Sequence, residues 1–267
     1  MNFIEQAYKG KNDWWRYLLT IMVVFLGWQL LGVIPLFMVA FNQSNDLVQL
    51  MASSQNAFAD LGIDSNLYLF AILVMFVLGL LSLLFSVKRI HLRSITSLIT
   101  SRQHIDWHRI FYGFGFWFLL SLVFLAIDYW MAPEHFVYNF KPIPFAILVV
   151  VAFIFIPLQT SFEELLFRGY LMQGIGILFK SAAVPFLLTS IGFGLMHAFN
   201  PEIEKLGYVI LIYYIGTGFL FGIVTLMDEG SELALGMHAA NNIVAAVFVT
   251  VNWAAFQTEA LFKDISE

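Results

Sequence analysis

Seven long apolar runs divide the chain, at residues 17–41, 67–87, 110–131, 143–160, 181–199, 206–227 and 233–253. Each lies near the roughly 20 residues that a helix needs to cross a bilayer core about 30 Å thick. An eighth stretch, 162–180, is apolar except for Glu163, Glu164, Arg168 and Gln173. Read as a crossing, it brings the count to about eight and predicts an all-α, polytopic membrane helical bundle. A core or interfacial helix would show the same pattern. The first run follows Lys9, Lys11 and Arg16 as the apolar part of a signal peptide would. It is too long for one and lacks a small-residue cleavage site, so it reads as a retained helix.

Lys and Arg in short loops stay on the cytoplasmic side during insertion, so their placement sets orientation. Lys88, Arg89, Arg93, Arg102 and Arg109 surround one linker, whereas residues 42–66 carry Asp46, Asp60 and Asp64 and no basic side chain. The amino terminus and residues 88–109 are therefore expected inside, and with eight crossings Lys263 in the tail joins them. The linkers 42–66 and 88–108 are the only sizeable extramembrane pieces expected. Trp14, Trp15, Trp107 and Trp253 lie near run ends, where an amphipathic ring anchors a helix in the headgroup layer.

Composition narrows the function. The chain is 60% hydrophobic and 12% charged, against roughly 45–50% and about 25% in soluble domains, which excludes an ordinary cytosolic enzyme. A net charge of −5 leaves no basic field for nucleic acid. With no Cys there is neither a disulfide framework nor a thiolate nucleophile or ligand. Chemistry has to come from Glu, Asp, His, Ser or Asn.

Ionisable groups inside a membrane segment cost on the order of 2.5–3.5 kcal/mol each on insertion scales, so a cluster of them needs a reason. On a helix Glu164 and Arg168 share a face, while Glu163 points about 100° away from that pair. An unpaired carboxylate in an apolar cavity is a candidate general base; a salt-bridged helix start in headgroup water is the alternative. Phe193 and His197 stand one turn apart beside Gly194 and Ala198, and His238 and Asn242 share another face. Glu163, His197, His238 and Asn242 together offer a base, a partner for water and two donors for a developing oxyanion, the set that amide hydrolysis needs. Glu163, His197 and His238 would equally make a zinc site with one open position. There is no His-Glu-x-x-His, no Gly-x-Ser-Gly and no Gly-x-Gly-Asp.

Glu163-Glu164-x-x-x-Arg168, Phe193-x-x-x-His197 and His238-x-x-x-Asn242, in this order on apolar helices, resemble the three motifs of the CAAX protease and bacteriocin-processing (CPBP, or Abi) family, which includes the type II CAAX prenyl endopeptidases. The resemblance divides the chain into amino-terminal helices and loops (1–142), a protease core (143–253) and a tail (254–267). It implies an intramembrane endopeptidase with its site in a cavity open to the cytosol, in the plasma membrane of a prokaryote. Its substrate would be a membrane-associated peptide or protein, either prenylated at a CAAX end or a peptide precursor. By motif position Glu163 resembles the residue that activates water and His197 its partner, while His238 and Asn242 resemble the oxyanion pair. Glu164, Arg168 and Phe193 resemble supporting residues. The family is often labelled metalloprotease; the preferred expectation is glutamate-activated water without a required cofactor, zinc being the alternative. A non-enzymatic protein, either a bacteriocin-immunity scaffold or an ion- or proton-coupled transporter, is the rival reading.

Eight alternating helices leave one conflict. They place Glu163 and His197 near inner helix ends and His238 near an outer one, a mismatch on the order of 10 Å. A break near Gly216-Thr217-Gly218 or a loop at 228–231 sunk into the bundle is expected to remove it.

Overall fold

Polar caps and prolines turn the apolar runs into helices with defined starts. The computed structural model describes residues 2–266. Helices α1 (Trp14–Phe25) and α2 (Val33–Gln43) form one rod, joined by a π-helical segment, Leu26–Leu31. A short α3 (Leu47–Ser53) precedes α4 (Ser65–Arg89), where the Asp64 carboxylate accepts from the backbone N–H of Asn66 and Leu67. Asp106 caps α6 (Trp107–Met131) in the same way, after a short α5 (Ile95–Ile99). Such caps satisfy amides that have no partner inside the helix. Then come α7 (Pro142–Glu164), which opens on a proline at its first turn, α8 (Met172–Phe179), α9 (Ala183–Leu195), α10 (Pro201–Leu206), α11 (Ile210–Asp228) and α12 (Glu232–Val247).

The most consequential departure from expectation is at residues 162–180, which are not a separate crossing. Helix α7 runs through a second π segment, Leu165–Leu171, straight into α8, making a single 38-residue rod. At 1.5 Å per residue it is about 57 Å long, more than a bilayer core. Glu163, Glu164 and Arg168 interrupt the hydrophobicity of this stretch without supplying a turn, so the backbone continues. Five helices are long and apolar enough to cross a membrane, namely Trp14–Gln43, Ser65–Arg89, Trp107–Met131, Pro142–Phe179 and Ile210–Asp228. Helices α9 and α12 are shorter and pack among them. The chain is an integral membrane protein of the polytopic helical type.

Packing fixes the directions. Asn66 donates to the Pro144 carbonyl and Gly79 abuts Phe162, so α4 and α7 run parallel. Gly194 faces Ile215 and Gly218 faces Ser190, so α9 and α11 are antiparallel. Helix α6 lies parallel to α12, close enough that a Cβ on Gly236 would collide with the Ile110 carbonyl oxygen and one on Gly113 would meet the Leu233 oxygen at 2.6 Å. Small residues permit that approach. Helix α12 is the buried axis of the bundle, while α6 buries only Gly113 and turns its other faces outward.

One end of the bundle gathers the amino-terminal segment, the linker between α4 and α6, and the α11–α12 turn. There Arg102 pairs with Asp228 and Glu232, and Arg109 with Asp228. The opposite end carries a small sheet absent from the all-α expectation: β1 (Phe136–Tyr138), β3 (Phe262–Asp264) and β2 (Val249–Thr250), in that spatial order. Strand β3 is antiparallel to β1, with Val137 opposite Lys263, and parallel to β2. Lys263 therefore sits at the end away from Arg102, contrary to the eight-crossing expectation. Residues 196–209 and 248–266 add two further connecting pieces to the two linkers expected, and they are tied together where the Ala255 N–H donates to Glu202 Oε1 at 2.9 Å.

Joining 162–180 to α7 also removes the conflict over His238. Every later helix reverses direction, so α12 starts at the basic end and His238 lies six residues in, about 9 Å deep. Helix α11 is unbroken through Gly216-Thr217-Gly218, and the 228–231 turn stays at the basic end beside Arg102.

Candidate active site

The site is built where the end of α7 meets α12. Glu164 and Arg168, both fully buried, form the ion pair that the i, i+4 spacing sets up, with Arg168 Nη1 to Glu164 Oε1 at 3.0 Å. Arg168 also donates through Nη2 to the Gly218 carbonyl at 3.0 Å, and its guanidinium lies 4.3 Å from the centre of the Phe193 ring. One helical arginine thus binds α7, α9 and α11 together. The π segment starts immediately after Glu164, and Met172 N–H reaches back five residues to Phe167. Such insertions recur at functional sites because they re-aim the side chains around them.

His238 enters from α12 between the two glutamates. Its Nδ1 lies 2.8 Å from Glu164 Oε1 and its Nε2 lies 3.5 Å from Glu163 Oε2. The carboxylate of Glu164 only accepts, so Nδ1 carries the hydrogen and Nε2 faces Glu163. Glu163 is the more open of the pair, its side chain 15% exposed against 0% for Glu164. His197, in the turn after α9, hydrogen-bonds the Phe193 carbonyl through Nδ1 at 3.0 Å, which leaves Nε2 as an acceptor. Tyr214 of α11 stacks on its ring at 4.2 Å and 13°. The Phe193 ring touches His197, His238 and Arg168 at once.

Glu163 and His197 line one cavity, together with Trp28, Phe162, Phe193 and Met196. It leaves about 10 Å³ for the centre of a water molecule, close to the roughly 10–15 Å³ that one water needs. Asn242 is not in that cavity wall. Its Nδ2 donates to Gln159 Oε1 at 3.2 Å, and the Gln159 side chain stands beside the Glu163 carboxylate from one turn earlier on α7. Asn242 Oδ1 accepts from Asn241, whose own Oδ1 accepts from the Trp117 indole, each at 3.2 Å. Reading the sequence misses Gln159, Trp117, Tyr214 and Trp28. For Gln159 a signal existed, an amide one turn before Glu163 in an apolar helix; for Trp117, Tyr214 and Trp28 nothing separates them from the other rings of this 17%-aromatic chain.

The zinc alternative does not fit this arrangement. Among the described residues no three His, Cys, Asp or Glu side chains gather so as to hold a metal ion.

Two comparisons bear on this geometry. A family model described as type II CAAX prenyl endopeptidase Rce1-like matches residues 142–244, from the start of α7 into α12. The uncharacterized protein YyaK of Bacillus subtilis (strain 168) is 33% identical over 258 residues, covering 94% of this chain and 83% of the relative. The chain belongs to the Rce1-like family. All three motifs fall within the matched region, whereas Trp28 and Trp117 lie outside it. No solved structure gives a significant match.

Proposed function

We propose that this Rce1-like protein is an intramembrane endopeptidase that uses water activated by Glu163 and His197 to cleave a peptide bond of a membrane-associated substrate. The observation that carries the reading is the cavity of one-water size walled by both residues. A water held between Glu163 and the free Nε2 of His197 attacks the scissile carbonyl carbon, and Glu163 takes its proton. The carbonyl oxygen becomes an oxyanion, which accepts from the remaining Nδ2–H of Asn242 and from Nε2–H of His238 in its imidazolium form, paired through Nδ1–H with Glu164. The proton on Glu163 then passes to the departing nitrogen as the C–N bond breaks. His238 is held in place for this through Glu164, so the ion pair with Arg168 supports the site from behind.

The basic end of the bundle is the cytoplasmic one in this proposal, because that is where Lys88, Arg89, Arg93, Arg102 and Arg109 collect. The membrane is then the plasma membrane of a prokaryote, and the substrate a peptide or protein end presented from the cytosol. A transporter is less well supported, since the cavity that Glu163 and His197 line is of about one-water size.

The test uses purified protein in lipid nanodiscs and an internally quenched peptide ending in a prenylated CAAX sequence, with the same peptide unprenylated as a second arm. Wild type should cleave at least one of them, and Glu163→Gln should lower kcat by about 10²–10⁴-fold, the range supplied by a general base. Cleavage by Glu163→Gln at the wild-type rate would remove the basis of this assignment.

A further inference from the structure

The amide groups around Glu163 do not float free; they form a chain that begins at a ring outside the family match. An indole N–H can only donate. The Trp117 Nε1 contact at 3.2 Å therefore requires the oxygen of Asn241 to face it, which turns the Asn241 Nδ2 toward Asn242. Asn242 must accept there through Oδ1, so its Nδ2 faces Gln159, whose Oε1 accepts at 3.2 Å. Gln159 is left with Nε2 as the group on Glu163, and that group is a donor. Three amides, each able to point either way, take one direction because a one-way group closes the far end.

We infer that Trp117 is a positioning residue that sets the polarity of the Trp117–Asn241–Asn242–Gln159 chain, so that Gln159 presents N–H to the Glu163 carboxylate and Asn242 keeps a donor toward the site. The inference rests on Glu163 as the base of the proposed reaction. Without the indole N–H only the Glu163 carboxylate at the other end still favours this order, and only while it is ionised. With the order reversed, Gln159 would offer oxygen to the Glu163 carboxylate. Two acceptors repel, and the carboxyl group would then have to keep its proton to make the hydrogen bond. A residue that served packing alone would leave the protonation of Glu163 untouched.

The experiment reads that protonation without any substrate. N,N′-dicyclohexylcarbodiimide reacts with protonated carboxyl groups in apolar surroundings, and fragment mass spectrometry separates label on Glu163 from label on Glu164. The full chain in detergent is labelled across pH for wild type, Trp117→Phe, Trp117→His and Gln159→Leu, with thermal melting as the check on folding. The pH of half-labelling at Glu163 should rise by about one unit in Trp117→Phe and in Gln159→Leu, the tenfold change expected of one hydrogen bond to a charged group. Trp117→His, whose ring can donate but can also accept, should return it only part of the way toward wild type. A Trp117→Phe curve that coincides with wild type overturns the inference, whether or not Gln159→Leu shifts. Because no turnover is needed, a negative result in the peptide assay and a negative result here are separate outcomes.

Discussion

Glu164 carries two partners on one oxygen. Oε1 accepts from Arg168 at 3.0 Å and from His238 at 2.8 Å, while Oε2 is buried and has no hydrogen-bond partner among the described residues. The residue is therefore tied to both fold and site, and the neighbouring glutamate is not. Replacing Glu164 by Gln removes the charge facing a fully buried Arg168, and breaking a buried pair from one side costs about 3–5 kcal/mol. For a chain of this size that corresponds to a melting temperature lower by on the order of 10 °C. Glu163→Gln deletes no such partner and should melt like wild type. Differential scanning fluorimetry in detergent checks the pair; equal losses in the two variants would show that Glu163 is also structural. At this scale the sequence was informative. The i, i+4 spacing identified the pairing of Glu164 with Arg168 and put His238 and Asn242 on one face of α12, the face that the fold turns toward α7. It was silent on His238 bridging both glutamates, because that depends on where α12 lies and not on spacing within it.

At the level of elements, hydrophobicity and backbone continuity part company. Residues 162–180 look like a separate helix because Glu163, Glu164 and Arg168 break the apolar run, yet none of them breaks a helix, and a π segment absorbs the irregularity. The rod they lie on is held at its basic end by His91. The imidazole is buried, its Nδ1 2.8 Å from the Lys11 carbonyl and its Nε2 2.9 Å from the Tyr170 hydroxyl. A carbonyl only accepts, so the neutral ring donates to Lys11 and accepts from Tyr170. Burial holds this histidine below its ordinary value, outweighing the lift from the Lys11 carbonyl. The unfolded chain takes up the proton at about pH 6.5 and the folded one only lower. Stability from this clamp is thus complete above that pH and declines as pH falls below it. Between pH 7.5 and 5.5 the melting temperature of wild type should drop further than that of His91→Gln, whose amide can donate and accept without titrating. Parallel curves for the two proteins would mean that His91 does not govern the clamp.

For the whole molecule, the parity of crossings is what the apolar pattern left undetermined, and everything downstream depends on it. Counting 162–180 separately puts the amino terminus and the tail on the same side and His238 at the wrong depth. Continuing α7 into α8 puts β3 at the end opposite the amino-terminal segment, where Lys263 pairs with Val137 in the linker between α6 and α7. Short strands such as β1 and β3 give almost no periodic signal, and the pairing that fixes the tail brings together residues more than a hundred positions apart. The absence of cysteine makes this directly measurable, because every introduced thiol is the only one in the protein. Single substitutions Asp46→Cys, Arg89→Cys and Lys263→Cys are treated in intact cells with a membrane-impermeant maleimide, then again after permeabilisation. Asp46 lies in the linker after α2 and Arg89 at the basic end of α4, so the two should react on opposite sides of the membrane. Lys263→Cys should follow Asp46→Cys. If it follows Arg89→Cys instead, the chain crosses an even number of times, α7 and α8 are not one rod in the membrane, and the convergence of His238 on Glu163 loses its structural basis.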